Sequence, residues 1–152
     1  MTDHTTNVKH LSYLCFDFGL KRIGVASGND LLKKGNELAP IQAKDGIPDW
    51  TVIEKIVTEW QPDKFIVGLP LNMDGTTSDM SLRATKFGKR LKGRFNKDVE
   101  MMDERLSSFE AKSQIQAQKS KQLDFGIHSV DGAAACLILE SWFSTKDNYN
   151  AK

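Results

Sequence analysis

Acidic residues at the ends of three predicted elements stand where a metal-dependent phosphodiesterase would need carboxylates. The first is Asp17, which ends the apolar and aromatic run SYLCFD and precedes Gly19 by two positions. A carboxylate buried there without a partner would be costly, but the same group is tolerable at a strand end that faces a cation. The alternative is a carboxylate that only hydrogen-bonds the following turn, and the local sequence leaves both interpretations open.

The other acids also lie at the ends of predicted elements. Asp103 and Glu104 close a predicted strand at 99–102, and Asp131 lies in the first turn of the last predicted helix. Successive side chains of a strand point to opposite faces, so we expect only one of Asp103 and Glu104 to be a metal ligand. The alternatives are a salt bridge from this pair to Arg105 and, for Asp131, a favourable interaction with the helix dipole.

Carboxylates that converge at one end of a sheet suit a hard divalent cation. Mg²⁺ prefers oxygen ligands and keeps several of its waters, so it is often held by one or two carboxylates together with substrate phosphate. Two such ions roughly 4 Å apart can activate the attacking water and stabilise the leaving oxygen. The acids therefore predict a Mg²⁺ or Mn²⁺ cofactor.

Basic residues are concentrated in one segment although the formal net charge of the chain is only +1. Residues 81–97 contain seven Lys or Arg and no acid, which indicates a local positive stripe on a helix, either a solvated face or a binding surface for a phosphate backbone. Other candidates are in the first hairpin, in the polar loop LNMDGTTS and beside the acids. The predicted nucleic-acid-binding residues are Lys21, Arg22, Asn72, Asp74, Arg83, Lys86, Arg90 and Arg105.

The elements that must position these residues follow from the hydrophobic pattern. A hairpin comes first, and helices then alternate with strands, which predicts an α/β fold with a mixed five-stranded sheet, antiparallel at first and then parallel, with helices on both faces. The third strand contains Pro40, which indicates an edge position. Predicted strands are 12–18, 23–26, 37–43, 64–68 and 99–102, and predicted helices are 48–60, 79–95, 107–119 and 130–143.

Length and composition predict one globular domain. The chain has 152 residues, of which 39% are hydrophobic and 27% charged, and its longest apolar run, at 133–139, is too short to span a bilayer. We expect a disordered lead-in at 1–10, a single nuclease domain at 11–145 and a flexible tail at 146–152. Cys15 and Cys136 lie within apolar patterns, as expected of buried, unpaired thiols in the cytoplasm.

Four segments resemble the conserved blocks of the YqgF family, also called RuvX. They are CFDFGLKRIGVASG, FIVGLPLNMDGTTSDMS, DERLSSFEA and HSVDGAAACLILESWF, and they follow the family's order from about residue 12 to residue 143. The resemblance implies an RNase H-like fold related to the Holliday junction resolvase RuvC. It also implies that Asp17, Glu104 and Asp131 are the catalytic, metal-binding acids of a nuclease that acts on structured nucleic acid.

One departure from the RuvC pattern affects the assignment of the second acid. RuvC-like enzymes have an acid at the end of the strand that corresponds to 64–68, and this chain has Gly68 there. The second carboxylate must then come from the next strand. The resemblance favours Glu104, and Asp103 stays open.

The resemblance also implies the partners and the function. The implied function is processing of the 5′ end of precursor 16S rRNA, with Holliday junction resolution as the older suggestion, so the expected partner is pre-rRNA or branched DNA, together with ribosomal particles and without a membrane. No surface patch predicts a strong dimer, so a monomer or weak homodimer is expected. Whether the substrate is RNA or DNA stays open.

Two rival functions are compatible with parts of the pattern. An acid followed by glycine in a first hairpin also opens the ATPases of the actin and sugar-kinase class, but these need a second domain that 152 residues cannot supply. A non-catalytic, RNA-binding ribosome-assembly factor is the other rival. The presence of all three acids argues against it, although presence alone does not demonstrate activity.

Overall fold

The computed structural model describes residues 10–106 and 130–150, with side chains throughout except at positions 130, 131 and 147–150. The helix predicted at 107–119 and the predicted N-cap Ser129 lie outside the described residues. The described strands are β1 (Ser12–Asp17), β2 (Arg22–Asn29), β3 (Asn36–Lys44), β4 (Ile47–Pro48), β5 (Lys64–Leu69) and β6 (Asp98–Asp103).

These strands form one mixed sheet in the order β4-β3-β2-β1-β5-β6. The first four are antiparallel neighbours, whereas β5 is parallel to β1 and β6 is parallel to β5. The predicted α/β class with an antiparallel hairpin followed by parallel strands is therefore confirmed. β1 lies inside the sheet, between β2 and β5, so its backbone is held on both sides.

The predicted number of five strands is wrong, because β4 adds a sixth. This strand has only two residues, Ile47 and Pro48, and pairs with Ala43 and Lys44 of β3. Two residues are too few to show an alternating hydrophobic pattern, and Pro48 resembles the start of the following helix in the sequence. The turn between β3 and β4 contains Gly46 with a positive φ of 82°.

Three α-helices are described: α1 (Trp50–Trp60), α2 (Asp79–Phe95) and α3 (Val130–Asn150). Ser78 and Ser81 form a reciprocal capping box that starts α2, and Asp49 caps α1 by accepting a hydrogen bond from the Thr51 amide at 3.1 Å. Helix α3 continues past the predicted end at 143 because the polar residues that follow include no proline or glycine. Within the described ranges, no helix is long and apolar enough to cross a lipid bilayer.

Hydrophobic clusters lie on both faces of the sheet. Leu14 and Phe16 of β1 belong to the cluster under α1 and α2, whereas Tyr13 and Cys15 belong to the cluster under α3. Side chains alternate along a strand, so the side chain of Asp17 points to the α3 face and that of Phe18 to the opposite face. Phe18 is accordingly part of the α1 and α2 cluster.

Helix α3 lies close against the sheet. A Cβ added at Gly35 would be 2.9 Å from the Cα of Cys136, and one added at Gly28 would be 2.8 Å from Cδ2 of Leu139. Glycine at these two positions therefore lets the helix approach the strands. The helix contacts several strands, and its side chains reach the end of the sheet at which Asp17 lies.

Candidate active site

Asp17 is the last residue of the inner strand β1. It pairs with Gly24 of β2, and Phe16 before it pairs with Val67 of β5. The side chain is half-buried and points to the α3 face. Because the backbone is held by both neighbouring strands, the position of this carboxylate is set by the sheet.

Glu104 follows β6 as the first residue of a short 3₁₀ turn, Glu104–Leu106. Its carboxylate lies over Gly68 of β5: a Cβ added at Gly68 would be 2.8 Å from Oε2 and 3.1 Å from Cδ of Glu104. The pairing of β1 with β5 ends at Phe16 and Val67, and the same register extended by one residue puts Gly68 next to Asp17. The Glu104 carboxylate thus occupies the α3 face beside Asp17.

A buried thiol gives a second indication that the two acids are close. Cys15 lies two residues before Asp17 on the same face and is fully buried. Burial raises the pKa of its thiol well above the ordinary value, and the negative charges of Asp17, Cys136 and Glu104 raise it further. Both carboxylates therefore act on one sulfur atom, as expected if they converge above the end of β1.

Asp103 has a different environment. Arg105 donates to both of its carboxylate oxygens, with the Arg105 Nη2 to Asp103 Oδ2 distance at 2.7 Å, and the Arg105 amide donates to Oδ1 at 2.9 Å. The ion pair raises the pKa of Arg105. Asp103 is thus engaged in the predicted salt bridge, whereas Glu104 lies beside Asp17.

Arg105 also holds the loop that follows β5. Its Nη1 donates to the Met73 carbonyl at 3.2 Å, and a Cβ added at Gly75 would be 3.3 Å from the same nitrogen. Gly75 has a φ of 89°, so a side chain there would also strain the backbone. The guanidinium therefore connects this loop to the turn that carries Glu104.

Asn72 and Asp74, which are predicted to bind nucleic acid, form hydrogen bonds within this loop. The Asp74 carboxylate accepts from the Thr76 hydroxyl at 2.6 Å and from the Thr76 amide at 3.0 Å, and these bonds lower its pKa. Asn72 donates from Nδ2 to the Thr76 hydroxyl at 2.9 Å. Both residues are exposed, but their polar atoms already maintain the shape of the turn.

Asp131 lies in the first turn of α3, and its side chain is not described. The next residue, Gly132, lies against Glu37 of β3, and Ile138 of the same helix lies over Gly68. Helix α3 thus crosses the face that holds Asp17 and Glu104. Among the described residues, no group of three or more His, Cys, Asp or Glu could hold a metal ion.

Apart from Arg105, the predicted basic residues form two groups. Lys21 and Arg22 are exposed where β1 turns into β2, close in sequence to Asp17. The other group, Arg83, Lys86 and Arg90, lies on α2 and lines a cavity on the opposite face of the sheet. Phe18, Phe87 and the β3–β4 hairpin form the rest of the lining. The cavity could not be predicted from the sequence, because the hydrophobic pattern does not show this hairpin.

Comparisons with known proteins identify the family. The family model described as "RuvX: Holliday junction resolvase" matches residues 11–145. A Marinobacter nauticus protein named "Putative pre-16S rRNA nuclease" is 57% identical over 129 residues, which is 85% of this chain and 90% of the relative. A Haemophilus influenzae protein with the same name is 51% identical over 134 residues, covering 88% and 95%.

Solved structures show the fold. Thermus thermophilus RuvC in complex with a Holliday junction substrate has a TM-score of 0.56 at 10% identity, with 91% of this chain and 96% of that chain covered. The yeast mitochondrial Holliday junction resolvase has a TM-score of 0.52 at 10% identity, with 91% and 80% covered. The fold is therefore RuvC-like, within the RNase H-like class, and the sequence comparisons show that the chain belongs to the RuvX family.

Proposed function

We propose that this chain is a metal-dependent nuclease that hydrolyses phosphodiester bonds in structured nucleic acid, and that it processes the 5′ end of precursor 16S rRNA. The observation that carries the proposal is the position of the Glu104 carboxylate, which lies over Gly68 and beside Asp17. Two carboxylates held side by side repel each other, and a cation relieves that repulsion. The name of the closely similar Marinobacter nauticus protein supports the substrate.

We assign Asp17, Glu104 and Asp131 as the catalytic residues and as the ligands of Mg²⁺ or Mn²⁺. The donors fit these ions, because carboxylate oxygens are hard ligands. A divalent ion bound there supplies a Lewis acid that lowers the pKa of the attacking water and offsets phosphate charge. We propose that Asp103 holds Arg105 in place, and that Arg105 in turn holds the loop after β5.

The chain's own side chains position the substrate in this proposal. Asp17 is fixed by the sheet, whereas Glu104 extends from a short turn and adjusts more readily. The exposed Lys21 and Arg22 attract the phosphate backbone close to Asp17, and the cations of α2 attract it on the other face. A ribosomal RNA substrate would place the protein in the cytoplasm. We also propose that it acts as a monomer or weak homodimer.

A DNA endonuclease that resolves branched junctions is the second candidate. The description of the family model and the likeness to RuvC favour it. Cutting two strands symmetrically would need a two-fold dimer. Cleavage by a monomer would therefore argue against this candidate.

The decisive experiment compares labelled precursor 16S rRNA with a four-way DNA junction, using the full chain with and without Mg²⁺ or Mn²⁺. Asp17→Asn, Glu104→Gln and Asp131→Asn should each lower the cleavage rate by at least about a hundredfold, as expected when a metal ligand is lost. Asp98→Asn is the control, because Asp98 is exposed at the opposite end of β6. Absence of metal-dependent cleavage of every substrate would overturn the proposal and leave a non-catalytic, RNA-binding assembly factor as the better function. Cleavage by Asp17→Asn at the wild-type rate would overturn a nuclease reaction at this site.

A further inference from the structure

A cavity of about 300 Å³ opens on the face of the sheet opposite Glu104. Its walls come from α2, from the β3–β4 hairpin and from Phe18, the residue directly after Asp17. The cavity therefore lies at the same end of the sheet as the acids but on the opposite face. Its volume is at the lower end of the range for small-ligand sites.

One part of the lining is apolar. Phe18 and Phe87 form the inner wall, where their ring centroids are 5.5 Å apart, and Ile47 and Pro48 of β4 form another wall. Ile47 is 60% exposed, which is high for an isoleucine on a strand. Phe18 and Phe87 are only 8% and 3% exposed, so Ile47 provides most of the accessible apolar surface on which a flat group can pack.

The other part of the lining is cationic. Lys86 and Arg90 are both exposed on α2, and neither forms an ion pair within the described part of the chain. Arg83 is engaged by Asp79 at 3.1 Å and lies 3.9 Å from Asp45 of the β3–β4 turn. Three cations thus face one acid in the lining, and two of these cations are available to an anion.

The turn between β3 and β4 closes the cavity at one side. The Gly46 amide donates to the Leu20 carbonyl at 2.9 Å, and a Cβ at Gly46 would be 3.2 Å from Cζ of Phe18 and 3.5 Å from an Arg83 guanidinium nitrogen. This turn is thereby packed against both the apolar and the cationic wall. The shape of the cavity is consequently set by contacts of the fold itself.

We propose that this cavity binds one unpaired nucleotide of the nucleic-acid substrate, with its base against the apolar wall of Phe18, Ile47 and Pro48 and its phosphate at Lys86 and Arg90. This inference rests on the proposed nuclease function and specifies the substrate class. A nucleotide combines a flat apolar face with an anion, which matches the two halves of the lining. The strand would cross the end of β1, so the substrate must be unpaired close to the bond that is cut.

Binding can be measured separately from cleavage. Fluorescence anisotropy with the Asp17→Asn protein in EDTA would compare three labelled RNA hairpins: one blunt, one with a short single-stranded overhang, and one with the same overhang made of abasic nucleotides. The overhang should bind about tenfold more tightly than the blunt hairpin or the abasic overhang. The proposal would be overturned if the hairpin with the normal overhang bound no more tightly than the blunt hairpin, or no more tightly than the hairpin with the abasic overhang.

Variants of exposed residues test the location. Lys86→Ala/Arg90→Ala should remove most of the preference for the overhang, and Ile47→Ser should reduce it while leaving affinity for the blunt hairpin unchanged. Lys89→Ala/Lys92→Ala is the matched control, because it removes the same charge from exposed positions of α2 that do not line the cavity. An equal loss of preference in both double variants would contradict the assignment.

The two proposals fail in different ways. If the wild-type protein prefers the overhang but no substrate is cleaved, the nuclease function fails and the nucleotide site stands. If cleavage depends on Asp17 but the overhang confers no advantage, the nuclease function stands and the nucleotide site fails.

Discussion

The Glu104 carboxylate occupies the space that a side chain at Gly68 would need. Oε2 lies 2.8 Å from the position of a Cβ at Gly68, closer than such atoms approach in folded proteins, and Cδ1 of Ile138 lies at the same distance. Glycine at the end of β5 and glutamate after β6 are therefore complementary. The absence of a side chain at Gly68 leaves the space that the Glu104 carboxylate fills.

Replacing Gly68 by alanine should displace Glu104. The added methyl group would force the carboxylate or Ile138 to move, so we expect cleavage to fall by about tenfold or more, the order seen when groups that orient metal ligands are lost. The Mg²⁺ concentration needed for half-maximal rate should rise. Both quantities can be measured from cleavage rates in a Mg²⁺ titration.

Gly93→Ala is the matched control for that substitution. Gly93 is exposed within α2, and a Cβ there would have no heavy atom within 4 Å. Alanine favours a helix over glycine by roughly 0.5–1 kcal/mol, so this variant should melt at a slightly higher temperature and cleave at the wild-type rate. If Gly93→Ala and Gly68→Ala reduce cleavage equally, displacement of Glu104 is not the cause.

Substitution of the two adjacent acids should give different phenotypes. Glu104→Gln should abolish metal-dependent cleavage, whereas Asp103→Asn should retain metal binding and raise KM, because it weakens the support of Arg105 and the loop. Metal affinity from isothermal titration calorimetry, together with kcat and KM, separates the two effects. Loss of metal binding in Asp103→Asn with retention in Glu104→Gln would reverse the assignment.

Glu100 should make stability depend on pH. Burial alone would raise the pKa of this carboxyl, but hydrogen bonds from Lys64 Nζ and Trp142 Nε1, both at 2.8 Å, lower it below its ordinary value of 4.5. A carboxyl with a lowered pKa stabilises the fold above its unfolded pKa, and this contribution is lost as the pH falls through the folded pKa.

Glu100→Gln should therefore lower the free energy of unfolding by about 1 kcal/mol at pH 7, a modest value because the group is partly exposed. The difference from wild type should shrink as the pH falls below about 4. Urea unfolding of both proteins at pH 7 and pH 3.5 measures this difference in the free energy of unfolding. A difference that grows on acidification would contradict the direction of the pKa shift.

The thiol groups should react slowly in the folded protein. Burial raises the pKa of Cys136 to about 12, and the charges of Glu37 and Glu140 contribute to the shift. Alkylation needs the thiolate, so at pH 8 iodoacetamide should modify Cys136, and the fully buried Cys15, much more slowly than free cysteine. Mass spectrometry over time checks this, with protein in urea as the reference for two accessible thiols.

Much of the sheet could be predicted because its inner strands have short, continuous apolar runs. The run that ends at Asp17 indicates both the strand and the exceptional acid at its end. Strand β4 could not be predicted, because two residues have no periodicity, and the cavity beside it was missed for the same reason. The division into 1–10, 11–145 and 146–152 stays a prediction.

The choice between Asp103 and Glu104 illustrates a limit of sequence patterns. Alternation indicates that they face opposite sides, but not which side is which, because that depends on where β6 ends and on the register with β5. The structure supplies the register and brings Glu104 over Gly68. The roles of Asp17, Glu104 and Asp131 as metal ligands stay predictions for the variants above.

The contacts of Arg105 have a consequence for how substrates are selected. This side chain joins the Met73 carbonyl to the segment that begins with Glu104, so a force that displaces the loop would also act on this segment. A correct strand that presses on the loop would then shift Glu104, the proposed metal ligand, without contacting it. Discrimination between substrates would then be expressed in turnover rather than in affinity, so that a wrong substrate could occupy the enzyme as an unproductive inhibitor.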